Sequence, residues 1–161
     1  AGASNSLPAT APPWTTLTAY DLNEGTIKWQ IPLGTVPFLA AKGIRNTGTI
    51  KVGLSTNHVG PVVTAGGLIF ISSWADGMIH AFDKDTGKTL WEKELDANPE
   101  GIPAVYEVGG RQYLAFLATG RPAGGGFGQT PGEGITWKPG KPEAQGYDVF
   151  ALPKPGSRSK K

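Results

Sequence analysis

The sequence predicts an all-β chain built from repeated four-stranded antiparallel units, and three observations predict it. The first is an internal repeat. Ala19-Tyr20-Asp21-Leu22-Asn23-Glu24-Gly25-Thr26-Ile27-Lys28-Trp29 aligns without a gap with Ala81-Phe82-Asp83-Lys84-Asp85-Thr86-Gly87-Lys88-Thr89-Leu90-Trp91, at a shift of 62 residues (91 minus 29). Self-similarity at such a period marks a repeat architecture. The second is that 24 glycines and 14 prolines cluster at turns between short apolar runs. Many short strands explain that pattern better than disorder does. The third is the absence of any sustained 3.6-residue period, so fewer than about one residue in ten is expected in helix.

Each copy of the repeat reads as strand, tight turn, strand. The small alanine ends one strand where a bulky side chain would not fit. The aspartate accepts hydrogen bonds from the turn backbone, and the glycine permits positive φ. The tryptophan then sits on the next strand as a large amphipathic anchor. The pattern Ala-x-Asp-x-x-x-Gly-x-x-x-Trp resembles the tryptophan-docking motif of quinoprotein dehydrogenases, eight-bladed β-propellers that hold pyrroloquinoline quinone (PQQ). Gly60 to Ile71 resembles the inner hairpin of such a blade, Pro103 to Tyr113 the start of the last one, and Val149 to Pro153 the family's C-terminal end. The resemblance covers residues 14–153 and is closest to members like membrane-bound glucose dehydrogenase. It implies a partial propeller: the C-terminal blades of a longer chain.

Taken in order, residues 1–13 are small, polar and proline-containing and are expected to be a flexible lead-in. They have neither a basic region nor an apolar stretch, so they are not a secretory signal; either one was removed or the chain begins inside a longer protein. Residues 14–34 form the two outer strands of one blade, Trp14 to Tyr20 and Thr26 to Leu33. Pro32 suits an outer edge because it cannot donate to a ladder. Gly34 to Thr56 reads as a long loop, and long loops in compact folds are often functional. Residues 57–96 form a complete blade, with strands Val59 to Thr64, Leu68 to Trp74, Met78 to Asp83 and Thr89 to Leu95. Asp76-Gly77 is a hairpin pair. Residues 101–153 form the last blade, with strands Ile102 to Val108, Gln112 to Ala118 and Tyr147 to Leu152, interrupted by loop 119–146. No tryptophan follows Pro153 to complete a third docking motif. Residues 154–161 form a basic tail that is expected to fray.

Composition limits the function classes. The formal net charge of +2 argues against nucleic acid as the main partner. There is no cysteine, which excludes disulfides, thiolate metal sites and cysteine nucleophiles. No apolar run approaches the ~18 residues of a transmembrane helix. No Gly-x-Ser-x-Gly elbow is present. The two histidines are far apart in sequence, with no metal-ligand spacing around them.

Strand counting locates a site. Strands alternate direction from the inside of a blade outward, so Gly66-Gly67, Gly109-Gly110 and both docking turns fall on one face, and all are short. Gly34 to His58, Ala75 to Gly77, Asp96 to Gly101 and Thr119 to Gly146 fall on the other. That face collects every long loop, and loops held on a rigid scaffold are where binding residues concentrate.

On that face Asn57 and His58 stand where a crossing enters an innermost strand. The resemblance implies that this approach contributes to the chamber around the quinone, where His58 is placed to stack on a flat cofactor or donate a hydrogen bond. The plainer reading is a histidine bonded to a loop carbonyl. Gly120 and Arg121 follow the other inner hairpin. The family's last blade brings this region near the quinone, and a guanidinium suits planar anions; the plainer reading is a solvated loop arginine. Gly124-Gly125-Gly126 is no phosphate loop, since no helix pattern or Lys-Ser/Thr follows; it reads as a flexible insertion over the site. Asp76 reads as a turn residue rather than a base, His80 as packing rather than a ligand, and Trp29 and Trp91 as structural.

The resemblance also implies chemistry that this chain does not carry alone. In the family a carboxylate base and a calcium ion act beside the quinone, and no matching motif occurs here. The expectation is PQQ as cofactor, calcium with ligands outside this chain, and no catalytic residue within it. The parent protein would be a periplasmic enzyme oxidising a sugar or alcohol and passing electrons to a quinone or cytochrome acceptor. The isolated chain would be inactive, would lack the remaining blades as partners and would self-associate. The alternative is a non-catalytic propeller scaffold or binding module with related repeats.

Overall fold

A computed structural model describes residues 7–49, 59–73, 76–119 and 145–153. Nine strands and one short helix occur among them: β1 (Thr16–Asp21), β2 (Thr26–Pro32), α1 (Pro37–Ala41), β3 (Val62–Val63), β4 (Leu68–Ser73), β5 (Met78–Asp83), β6 (Thr89–Glu94), β7 (Asn98–Val108), β8 (Arg111–Thr119) and β9 (Gly146–Ala151). They form three sheets of order β1-β2, β3-β4-β5-β6 and β7-β8-β9. Every pairing is antiparallel between neighbours in sequence. These antiparallel sheets of two, four and three strands are the nearly all-strand partial β-propeller that the sequence predicts.

Alternation along the strands explains how the sheets stack, since successive side chains point to opposite faces. On the middle sheet Ile69, Ile71 and Phe82 face the first blade and form a buried cluster with Leu33, against which Leu17, Trp29 and Ile31 pack. Ile79 points the other way and joins Leu95, Leu114 and Phe116, with Val62, Phe70, Val105 and Phe150 packed around them. A third, smaller cluster joins Val36 and Leu39 to Leu7 and Trp14.

The first docking motif works between blades. The Trp29 indole Nε1–H donates to the Lys84 carbonyl at 3.1 Å, across to the turn of the middle blade. Gly87 lies under the ring with φ +70°, and a Cβ built there would come within 2.8 Å of Trp29 Cε3. Asp83 holds that turn as expected: its carboxylate accepts from Asp85 N, Thr86 N and the Thr86 hydroxyl. Those bonds, the Thr86 hydroxyl first, hold its carboxyl below the ordinary aspartate range.

Three local expectations are corrected. Asp96 to Gly101 is not all loop, because β7 begins at Asn98 and pairs Asn98 with Thr119 and Pro99 with Ala118 before a register irregularity between Glu100 and Ala104. Glycine and proline hid a strand whose ladder continues past the break. Residues 34–49 are not a featureless loop. They contain α1 and then return to the first blade, where Trp14 N donates to Thr47 O, Thr49 N to Leu33 O, and the Thr15 hydroxyl to Thr49 O. Trp91 is less covered than Trp29, which is partly buried. Trp91 is 39% exposed and makes an edge contact with Phe150 at 5.6 Å between ring centroids. The tryptophan of a docking motif is covered by the next blade's turn, and among the described residues the third blade has none.

Candidate functional site

The long crossings depart from one end of the blades. β4 ends at Ser73 and β5 starts at Met78 at that end, and the paired Asn98 and Thr119 lie there too. Gly60, which leads into β3, stands against Ile102 of β7, with an added Cβ only 3.0 Å from Ile102 Cγ1. The innermost strands of two blades are therefore adjacent where the crossings meet them. Asn57, His58, Gly120 and Arg121 lie outside the described residues, as do Trp74 and the Gly124 to Gly126 run. Their neighbours Val59 and Thr119 are the described positions closest to them in sequence.

The chemistry described at this end centres on Asp76. The residue is buried, 7% exposed. Oδ2 accepts from Thr35 N at 2.8 Å, and Oδ1 accepts from Met78 N at 3.1 Å. The Met78 bond is the turn role expected of an Asp-Gly pair. The Thr35 bond crosses from the middle blade to the segment after β2, and no local sequence signal points to it. Gly34 makes that approach possible: with φ +70°, an added Cβ would lie 2.5 Å from Ser73 Oγ and 2.9 Å from Asp76 Oδ2. Burial pushes the Asp76 carboxyl above the ordinary aspartate range, opposed by His80 and by hydrogen bonds from Thr35, Ser73 and Met78.

His80 is 5% exposed. Its Nδ1 lies 2.9 Å from Glu92 Oε1, its cross-strand partner on β6, and its ring stacks on Phe82. Packing is what the sequence suggested for it; the pairing with Glu92 was not foreseen. Its Nε2 is buried without a hydrogen-bond partner among the described residues. No group of three or more His, Cys, Asp or Glu side chains positioned for a metal ion occurs among the described residues.

Antiparallel sheets joined by an inter-blade tryptophan bond define a segment of a β-propeller. Residues 2–114 match the family model described as PQQ: Glucose/ethanol/alcohol dehydrogenase, beta-propeller domain. The chain belongs to this PQQ-dependent dehydrogenase propeller family. It is 38% identical over 130 residues to a probable quinate dehydrogenase (quinone) of Xanthomonas campestris pv. juglandis, covering 80% of this chain and 16% of the relative. It is 38% identical over 110 residues to the glycerol dehydrogenase large subunit of Gluconobacter oxydans (strain 621H), covering 68% and 15%. It is 33% identical over 134 residues to the quinoprotein glucose dehydrogenase of Escherichia coli (strain K12), covering 80% and 16%. Among solved structures, the quinohemoprotein alcohol dehydrogenase ADHIIG of Pseudomonas putida HK5 aligns with TM-score 0.46 and 29% identity, over 64% of this chain and 12% of that one. The chain thus spans about a sixth of the length of the curated relatives named here.

The family implies PQQ, a planar tricarboxylate. The described residues do not by themselves fit it. The buried carboxylate at the loop end is an anion already engaged with the chain's own N–H donors. A tricarboxylate needs donors and cations instead.

Proposed function

We propose that residues 1–161 are the C-terminal blades of a periplasmic PQQ-dependent dehydrogenase that oxidises a sugar or an alcohol, hydride passing to the quinone and electrons onward to a quinone or cytochrome acceptor. The observation that carries this reading is the family match, which runs through both docking motifs. The relatives' names point the same way, since quinate, glycerol and glucose all carry hydroxyl groups on carbon. The cofactor supplies the redox chemistry, and the protein supplies position and electrostatics. This chain's share is a wall of the chamber. Asn57 and His58 approach β3, and Gly120 and Arg121 leave β8, both at the loop end. When the cofactor is bound, His58 would stack on it or donate to it, and the Arg121 guanidinium would pair with a carboxylate. Asp76 holds the wall rather than the cofactor, by tying the segment after β2 to the β4–β5 turn. Calcium and the base that takes the substrate proton belong to other blades.

Two measurements test the reading. The 161-residue chain, given PQQ and calcium, is expected to reduce no dye with glucose or short alcohols; saturable turnover would show that the site is complete within it. In the longer polypeptide, Arg121→Ala and His58→Ala are each expected to weaken PQQ binding roughly tenfold, the scale of one lost hydrogen bond to a charged group. PQQ titration giving unchanged affinity for both variants would remove these residues from the chamber.

A further inference from the structure

The middle blade buries a titratable ring that the candidate site does not use. His80 pairs with Ile71 on the face that meets the first blade, where it is 5% exposed and stacked on Phe82. Its Nδ1 stands 2.9 Å from Glu92 Oε1. An ionised carboxylate only accepts hydrogen bonds, so Nδ1 carries the proton of the neutral ring and Nε2 is a bare lone pair. Nε2 is buried, and nothing among the described residues bonds to it. A lone pair is tolerated there, whereas an N–H at the same place would be a buried donor in need of an acceptor.

Three carboxylates face the ring from the elements around it. Glu92 and Glu94 come from β6, where they pair with His80 and Met78. Asp76 comes from the β4–β5 turn and senses the charge of His80. The first blade packs Leu17, Trp29, Ile31 and Leu33 on this face, none of them titratable. Its Lys28 is engaged with Asp85 in the docking turn, and Lys42 and Arg45 of the segment after β2 are exposed. Asp76 is the carboxylate with two kinds of donor. Met78 N, bonded to Oδ1, is on His80's own strand and two residues from it; Thr35 N, bonded to Oδ2, belongs to the segment across the blade interface. We propose that a proton on His80 Nε2 draws the Asp76 carboxylate off Thr35 and onto the ring, so that acid releases the tie between the first two blades at the loop end. Oδ1 keeps its Met78 bond, while Oδ2 exchanges a neutral backbone donor for a charged one, which is the stronger kind. Glu92, half exposed, holds the other ring nitrogen and fixes the ring in place.

The test is amide hydrogen exchange followed by nuclear magnetic resonance on the ¹⁵N-labelled 161-residue chain. Protection of Thr35 N, taken relative to an unstructured peptide at the same pH, is expected to fall roughly three- to tenfold between about pH 8 and about pH 5, the scale of one lost hydrogen bond across the histidine range. Met78 N should keep its protection. So should the Trp29 indole, which reports that the fold persists. His80→Gln should leave Thr35 equally protected at both pH values, because glutamine takes up no proton. The ring ¹⁵N shifts of the wild type give a second reading, with His80 told from His58 by its contact with Phe82. At the upper pH His80 should show a protonated Nδ1 and a bare Nε2. Thr35 protection that is equal at the two pH values, or that falls as much in His80→Gln, would overturn the proposal. So would a neutral ring with its proton on Nε2.

Discussion

Asp76 and Gly87 both read in the sequence as turn residues, and the structure gives them different weights. Asp76 is a buried carboxylate whose folded-state pKa lies above its unfolded value. The folded state therefore holds the proton more tightly, and the contribution to stability is present below the ordinary aspartate range and lost as pH rises through the raised value. Asp76→Asn keeps an acceptor for one N–H and removes the charge. Thermal melts of the two chains should favour the wild type most in acid, and its advantage should shrink as pH rises above about 4. A difference independent of pH would contradict the burial. Asp83 runs the other way: its depressed pKa gives stability that is present above the unfolded value and lost as pH falls through the folded one. Gly87 and Gly25 share a positive φ of 70° and 67°. An added Cβ meets Trp29 at 2.8 Å in one and nothing within 4 Å in the other. Gly25→Ala should thus cost about 1–2 kcal/mol from conformation alone. Gly87→Ala should cost about 1–3 kcal/mol more from overlap. Equal denaturation midpoints would deny the docking.

At the scale of the strand, inter-blade packing matters more than edge pairing. β6 (Thr89–Glu94) is exposed along its whole length, while β5 is buried at four of its six positions. β5 has a strand on either side and a blade against each face, whereas β6 is an outer strand. Phe116 on β8 is 1% exposed and belongs to the cluster between the last two blades. Phe116→Ala should cost ~3–5 kcal/mol in chemical denaturation, as buried aromatic truncations do. A cost under about 1 kcal/mol would mean that the last blade is not packed on the middle one.

The whole molecule ends in two unlike faces. The outward face of the last blade carries Val108 (61% exposed), Tyr147 (75%) and Val149 (51%), with Tyr106 and Leu117 among them. Register brings these side chains together, pairing Tyr106 with Tyr113, Ala115 with Val149 and Leu117 with Tyr147. The outward face of the first blade is polar instead: Gln30 Nε2 donates to the hydroxyls of Thr16 and Thr18. An exposed apolar sheet drives association. The 161-residue chain should therefore scatter light as an oligomer at micromolar concentration. Tyr147→Lys with Val149→Lys should return it toward monomer, and no response to this pair would place the contact elsewhere. Far-ultraviolet circular dichroism should be that of a β protein, since α1 (Pro37–Ala41) is the one helix among the described residues; a helical spectrum would contradict the fold.

The strands, their order and the docking turns were legible in the sequence because each rests on local physics. Alternation, Gly-Gly and Asp-Gly turns, and a repeated Ala-x-Asp-x-x-x-Gly-x-x-x-Trp all act within about a dozen residues. The loop end was legible too, since it follows from counting alternating strands. What the sequence did not reveal was which partner each residue meets across blades. Asp76 reads locally as a turn aspartate, and its bond to Thr35 depends on two segments 41 residues apart. Trp29 and Trp91 stand in equivalent motifs, yet their exposure depends on whether the next blade presents a turn. The strand beginning at Asn98 was missed because glycine and proline break the local pattern while the ladder to β8 continues beyond them. Local conformation is fixed by neighbours along the chain, whereas burial and pairing are fixed by neighbours in space, and only the stacked blades determine those.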